Sequence, residues 1–399
     1  YLLFLMPFVY FATACFVVWL VKTSGIYPSG SDTMYHVYRG DYVYNAIKSG
    51  NWYPLYDPAW YNGVEILRYW SPFPAYVMAF CQYLAGGSQF GAYLFYIGGV
   101  CFLGACVWPF IGRGFNRPYL GAFIGLLWFF MPNNLCAIFI EGNLARSLSM
   151  IFLPVFIYSV YKYLYNHKLR YIPLMVFTFL LMELCHLGYA GMVAIAVIIY
   201  GIVYIIQKGR KKAALDVVIS MIFGFMLLGI WLVASLRGGI TSLDNSENMA
   251  NFFQNLWITI NPFERLTRGF EYFYFGFATL VVIVFGILFG YKKSRTGFVT
   301  GFIILLMTTK SAYAVLKHLP GSQYLWMLRF ISIALCMILM SFLMWDRLKK
   351  TLVLMLCVLL VVDTIPSLSL IVGEHNDISV QERMAARQDS TLISSAQAV

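Results

Sequence analysis

Eleven apolar stretches follow one another along the chain, at roughly 1–21, 90–111, 119–138, 147–165, 171–186, 187–207, 214–236, 273–290, 297–313, 324–345 and 350–371. An α-helix rises 1.5 Å per residue, so about 20 apolar residues cross the roughly 30 Å hydrocarbon core of a bilayer. The pattern therefore predicts an all-α polytopic membrane protein of about eleven spans. A twelfth stretch, Pro72 to Leu84, opens Pro-Phe-Pro and is short for a crossing. Two gaps between spans are long, 22–89 and 237–272. Residues 1–371 read as one transmembrane unit and 372–399 as an external tail. The run beginning at Tyr1 has the length of a span and no small-residue cleavage site, so it is read as a retained helix and not a signal peptide. Both ends of the chain read as trimmed.

Charge decides the status of Pro72 to Leu84. With a cytoplasmic N-terminus and no crossing there, the inside loops hold fifteen Lys and Arg, the run Lys208 to Lys212 among them, against only Asp216 and Asp346. A crossing at 72–84 would swap every later loop and translocate that basic run, against the positive-inside rule. Pro72 to Leu84 is thus expected to lie as a juxtamembrane helix in the outer interface, and both long loops, 22–89 and 237–272, to be external. The second of these contains Asn261-Pro262-Phe263-Glu264-Arg265.

Composition agrees: 61% of residues are hydrophobic and 11% charged, where soluble domains carry roughly 25% charged residues. A soluble enzyme, a disulfide scaffold and a disordered regulator are excluded. The net charge of +11 follows from the inside loops and implies no nucleic acid. All eight cysteines lie in apolar stretches without CxxC spacing, so they are read as small core residues.

The polar residues gather on the side expected to be outside. Asp32, His36 and Arg39 are spaced i, i+4, i+7, so a short helix capped by Ser31 or Ser29 would carry all three on one face. The bland reading of that helix is a solvated amphipathic surface. The same loop is dense in Trp, Tyr, Pro and Gly, as in Gly50-Asn-Trp-Tyr-Pro54 and Tyr69-Trp70-Ser-Pro72, which suits either an interfacial segment or sugar stacking. Glu141-Gly142-Asn143 with Arg146, Glu183 with His186, and Gln323 with Arg329 fall on the same side. Ionisable groups in spans cost on the order of 3 kcal/mol or more and so face a partner or an aqueous cavity. Acids placed opposite Arg146, Arg329 and Lys310 would form a cavity of both signs, as a phosphate leaving group and a proton-accepting carboxylate require. The competing reading is a set of structural ion pairs, Glu141 with Arg146 foremost, and a helix-end role for His186.

Asp32-Thr-Met-Tyr-His36-Val-Tyr-Arg39, Gly50-Asn-Trp-Tyr-Pro54, Tyr61-Asn-Gly63, Ser71-Pro72-Phe-Pro74, Glu141-Gly-Asn-Leu-Ala145 and Gln323-Tyr-Leu-Trp-Met-Leu-Arg329-Phe330 resemble the bacterial YfhO-like and 6-pyruvoyl-tetrahydropterin-synthase-related membrane proteins. The general layout resembles the GT-C superfamily of polytopic glycosyltransferases. The resemblance implies a transferase in the bacterial cytoplasmic membrane, its site facing outside, that moves a sugar from a polyprenyl-phosphate carrier to a cell-envelope polymer, glycolipid or protein with inversion. It places Asp32 as the general base and Glu141 as a second acidic residue. His36 joins them as a catalytic candidate, and Arg39, Arg146, His186, Lys310, Gln323 and Arg329 are candidate substrate ligands. No Asp-x-Asp supports a divalent metal, and the five histidines lack zinc-type spacing, so no cofactor is assigned. The alternative function is a transporter or flippase for a lipid-linked glycan or other amphiphile, and a non-catalytic assembly subunit is a third.

Overall fold

The computed structural model describes residues 2–25, 27–28, 30–59, 63–237, 256–261, 274–319, 322, 325–345 and 348–372. Among them the regular elements are all helices, with one isolated bridge between Asp57 and Val64. In order the helices are α1 (Leu2–Ser24), α2 (Thr33–Lys48), α3 (Ile66–Tyr69), α4 (Phe73–Leu84), α5 (Gln89–Gly114), α6 (Pro118–Trp128), α7 (Pro132–Phe139), α8 (Leu144–Asn166), α9 (Tyr171–Lys208), α10 (Lys211–Leu227), α11 (Gly229–Arg237) and α12 (Leu256–Ile260). They continue with α13 (Phe277–Phe289), α14 (Lys292–Met307), α15 (Lys310–Leu316), α16 (Phe330–Met344), α17 (Lys350–Thr364) and α18 (Ser369–Val372).

Six helical segments are long and apolar enough to cross a membrane: Leu3–Ser24, Gln89–Gly114, Pro118–Phe139, Leu144–Asn166, Tyr171–Lys208 and Met327–Met344. A seventh arises if α10 and α11, bent by 64° at their junction, count as one span. Among the described residues these are fewer than the eleven expected, with Tyr171–Lys208 counted once. The apolar runs at 273–290, 297–313 and 350–371 hold helices of only 13, 16 and 15 residues, about 20–24 Å long: residues 274–276 precede the first helix, a break at Thr308 and Thr309 ends the second, and a 3-10 turn at Ile365–Leu368 ends the third. The start of α13, for example, is built from outside its own run: Asp363 accepts from the Ala278 and Thr279 amides and from the Thr279 hydroxyl.

The 171–208 helix is not straight. His186 has φ −156° and ψ 94°, and both ends of α9 lie against the same end of α8. The Tyr171 ring is 5.9 Å from that of Tyr158, and the Tyr204 hydroxyl donates to the Leu164 carbonyl at 2.6 Å. A continuous 38-residue helix would hold its ends nearly 60 Å apart. The chain therefore turns back at His186 as two antiparallel legs, at the boundary expected between 171–186 and 187–207.

Met327–Met344 is 94% buried and Leu3–Ser24 only 22%, so α16 forms the centre of the bundle and α1 its rim. Exposed large side chains are apolar, among them Phe4, Phe8, Ile206 and Ile230, as expected of a surface facing lipid. One cysteine departs from the core assignment: Cys15 on α1 is exposed, and among the described residues all eight are free thiols.

The stretch 72–84 becomes α4, whose 12 residues reach about 18 Å. Pro72 and Pro74 sit at its start, where proline's missing N–H costs nothing. Asp32 and Glu141 meet in space, and only α5 and α6–α7 cross between them. A crossing by α4 would put the two acids at opposite ends of the bundle.

Candidate functional site

The site begins at a seam between two short backbone segments 110 residues apart. The Ser31 amide donates to the Ile140 carbonyl at 3.3 Å, and the Asp32 amide to the Glu141 carbonyl at 2.9 Å, an oxygen that also accepts from the Ser31 hydroxyl at 2.9 Å. Ser31 is thus occupied and does not cap α2. Asp32 itself takes the N-cap position, without a side-chain cap, and the helix starts one residue later, at Thr33. Ser29 lies outside the described residues.

Glycines allow this approach. A Cβ on Gly30 would stand 2.6 Å from the Gly142 Cα, and one on Gly142, whose φ is +63°, would stand 2.5 Å from the Thr33 nitrogen. Gly142→Ala should therefore cost about 1–3 kcal/mol, the usual range for overpacking, with added strain from the left-handed backbone. Thermal unfolding of the purified protein in detergent reads this as a lower midpoint. An unchanged midpoint would show that the seam can open without loss.

Around the seam lies a buried charge cluster. Glu141 pairs with Arg146 through Oε1, and its Oε2 is 3.4 Å from Arg329 Nε. Arg146 is fully buried, donates to Asn133 Oδ1 at 3.4 Å, and has its backbone amide capped by Asn143 Oδ1 at 2.9 Å. The Arg329 guanidinium lies over the Trp326 ring, 4.8 Å from its centroid, with Nη1 3.3 Å from His186 Nε2. Asn143 Nδ2 approaches the same imidazole nitrogen at 3.4 Å. Asp32, His186 and Arg329 are partly exposed, whereas His36, Asn133, Glu141, Asn143 and Arg146 are buried. Buried charged and amide groups thus underlie three partly exposed polar side chains.

Asp32 and His36 owe their ionisation to these surroundings. Burial raises the Asp32 carboxyl above its ordinary value, Arg329 pulls it back, Glu141 raises it and the Ser31 hydroxyl lowers it. Burial, then the positive charges of Arg39 and Arg329, push His36 down to about 3, so its imidazole is neutral.

Four of the expected site residues therefore converge: Asp32, Glu141, His186 and Arg329, with His36 beside them. Arg146 joins them as the buried partner of Glu141. Arg39 does not reach the cluster; its guanidinium sits 5.3 Å from the Tyr35 ring and 5.7 Å from that of Trp70 and donates to the Ile66 and Trp70 carbonyls. Lys310 is exposed at the start of α15, and no described hydrogen bond or ion pair links it to the cluster. Gln323, Tyr61, Asn62, residues 262–265 and the tail 373–399 lie outside the described residues. Among the described residues no group of three or more His, Cys, Asp or Glu is placed to hold a metal ion.

Asn133, Asn143 and Ser71 were not among the expected ligands. Two adjacent amides, Asn133-Asn134, inside an apolar run were the available signal for the first. Ser71 Oγ donates to the Glu183 carbonyl at 2.8 Å and accepts from the Leu187 amide at 3.3 Å, joining the segment before α4 to the turn that carries His186.

A family model for 6-pyruvoyl-tetrahydropterin synthase related domain membrane proteins matches residues 67–371, well over half of the chain. The chain belongs to that family. Its match starts at the α3 helix and runs to α18, taking in Glu141, Arg146, His186 and Arg329, while Asp32, His36 and Arg39 precede it. No curated protein and no solved structure matches the chain.

Proposed function

We propose that this family member is a GT-C-type glycosyltransferase that moves a sugar from a polyprenyl-phosphate carrier to a cell-envelope acceptor at the outer membrane face. The observation that carries this reading is the meeting of a partly exposed carboxylate, Asp32, with a partly exposed guanidinium, Arg329, above a buried ion cluster at one end of an apolar bundle. Group transfer from a phosphate needs those two charges side by side.

In this reading the Asp32 carboxylate takes the proton of the acceptor hydroxyl as that oxygen bonds to the anomeric carbon from the face opposite the phosphate. The bond between that carbon and the phosphate oxygen breaks, and the carrier phosphate leaves with the electron pair, which gives inversion. Arg329 neutralises the departing phosphate. Arg146, committed to Glu141 and Asn133, holds Glu141 in place and has no part in binding substrate. The lipid tail of the donor lies along the apolar helices.

The test is an assay of the purified protein in lipid nanodiscs with a panel of polyprenyl-phosphate sugars and envelope acceptors, followed by product analysis. Release of polyprenyl phosphate with appearance of a glycosylated acceptor supports the reading. Movement of labelled lipid across vesicle membranes, without sugar transfer from any donor, would replace it with the transporter.

A further inference from the structure

The imidazole of His186 stands among more hydrogen-bond donors than it can serve. Its Nδ1 accepts from the Tyr189 backbone N–H at 3.1 Å, in the first turn of the second leg of α9. The ring proton of the neutral imidazole therefore lies on Nε2, since the bond made by one ring nitrogen sets the state of the other. Asn143 Nδ2 at 3.4 Å and Arg329 Nη1 at 3.3 Å face that nitrogen. The Asn143 amide cannot be turned to relieve this, because its Oδ1 accepts from the Arg146 amide at 2.9 Å. Three N–H donors thus point into one space and none of them offers an acceptor. Their separations, at the long edge of hydrogen-bonding distance, fit donors that share a missing oxygen between them.

The donors say what kind of oxygen belongs there, since an anionic oxygen accepts from several N–H groups at once. Arg146 and Arg329 stand beside the carboxylates of Asp32 and Glu141, while Arg39 keeps to Tyr35 and Trp70. Glu141 is shared between Arg146 and Arg329. The buried carboxyl of Glu183, three residues before His186, makes no described ion pair with any of them. Arg329 Nε is committed to the ion pair with Glu141 Oε2 at 3.4 Å, which leaves Nη1 to face the imidazole. The space between the donors is lined by N–H groups, one of them on the Arg329 guanidinium, with His186 and Arg329 partly exposed and Asn143 buried.

We propose that His186 Nε2–H, Asn143 Nδ2–H and Arg329 Nη1–H together hold one anionic oxygen of a phosphate group. The assignment of that phosphate to a lipid carrier rests on the glycosyltransferase reading, whereas the donor geometry is independent of it. A lipid phosphate and free inorganic phosphate share the recognised chemistry. Because the donors bind the phosphate whether or not a sugar is attached, the carrier freed by transfer occupies the same site and competes with fresh donor.

The test measures binding to the full chain in zwitterionic nanodiscs of three probes: polyprenyl phosphate, the uncharged polyprenol and inorganic phosphate. Polyprenyl phosphate should bind at least tenfold more tightly than polyprenol. Displacement by millimolar inorganic phosphate would show that the phosphate alone is read, and its failure to displace would assign the site to the lipid headgroup with its chain. Asn143→Asp keeps the cap oxygen for Arg146 but turns the donor into an anionic oxygen, so it should weaken polyprenyl phosphate binding at least tenfold at an unaltered melting temperature. Arg329→Gln is the second variant and should act in the same direction, while Lys168→Gln at the far end of the bundle should change nothing. Equal binding of phosphate and alcohol, or full binding by both site variants, overturns the proposal. The outcomes also separate the two readings. Sugar transfer by Asn143→Asp with an unchanged KM for donor would remove the subsite and leave the enzyme; lost phosphate binding in a protein that transfers no sugar would do the reverse.

Discussion

Asp32→Asn should lower the proposed sugar transfer on the order of 100-fold or more, the low end of what a general base contributes, while donor binding should survive. The substitution keeps the shape of the side chain and the backbone bond of residue 32 to the Glu141 carbonyl, so the seam is retained. The pH dependence carries a sign. Burial lifts the Asp32 carboxyl above its ordinary value, so the base form, and with it the rate, appears as pH rises through a point above the usual carboxylate range. Glu141 pushes that point up and Arg329 draws it down. Glu141→Gln should therefore move the acid limb of the profile to lower pH, and Arg329→Gln should move it to higher pH. A turnover assay across pH 4–9 on the wild type and three variants measures all of this. Full activity in Asp32→Asn would take the residue out of the mechanism.

The largest loss of stability is expected from Glu141→Gln. Removing one partner of a buried ion pair leaves an uncompensated charge and costs about 3–5 kcal/mol, and here one carboxylate serves two guanidiniums. Arg146 has no exposed surface and so cannot turn to water. The double variant Glu141→Gln with Arg146→Met removes the stranded charge and should recover a large part of the loss, since an apolar replacement of a buried pair is often neutral. Thermal or denaturant unfolding in detergent gives both values. A Glu141→Gln variant as stable as the wild type would mean that the ion cluster contributes to binding alone.

Much of this site was legible in the sequence because polar groups in an apolar chain are conspicuous. Asp32, Glu141, His186 and Arg329 stand out for that reason, and charge placement alone kept α4 from crossing, which is what lets Asp32 meet Glu141. The remainder depended on facts that residue spacing does not hold. The i, i+4, i+7 pattern put Arg39 beside Asp32, yet Asp32 lies outside the helix as its N-cap, and Trp70 and the Ile66 carbonyl, from the segments around α3, claim the guanidinium first. Arg146 looked like a ligand because a sequence shows an acid and a base nearby without showing which base the acid chooses. Span counting from hydropathy gave more spans than the helices long enough to cross, because apolar runs included residues such as Tyr274 to Gly276 that lead into a helix and do not belong to it. The seam itself is carried by backbone groups and two glycines, for which hydropathy has no symbol.

That seam also fixes an order of assembly. Residues 30–33 leave the ribosome long before 140–142, and their amides have no protein acceptor until α5, α6 and α7 have been laid down. His186 follows about 45 residues after Glu141, and Arg329 comes later still. A nascent chain halted after α8 would already hold Asp32 against Glu141, but it would lack the imidazole and one of the two guanidiniums around that carboxylate. In chain order the acidic half of the site is therefore complete first, and the cluster closes only when the segment leading into the central helix α16 brings in Arg329.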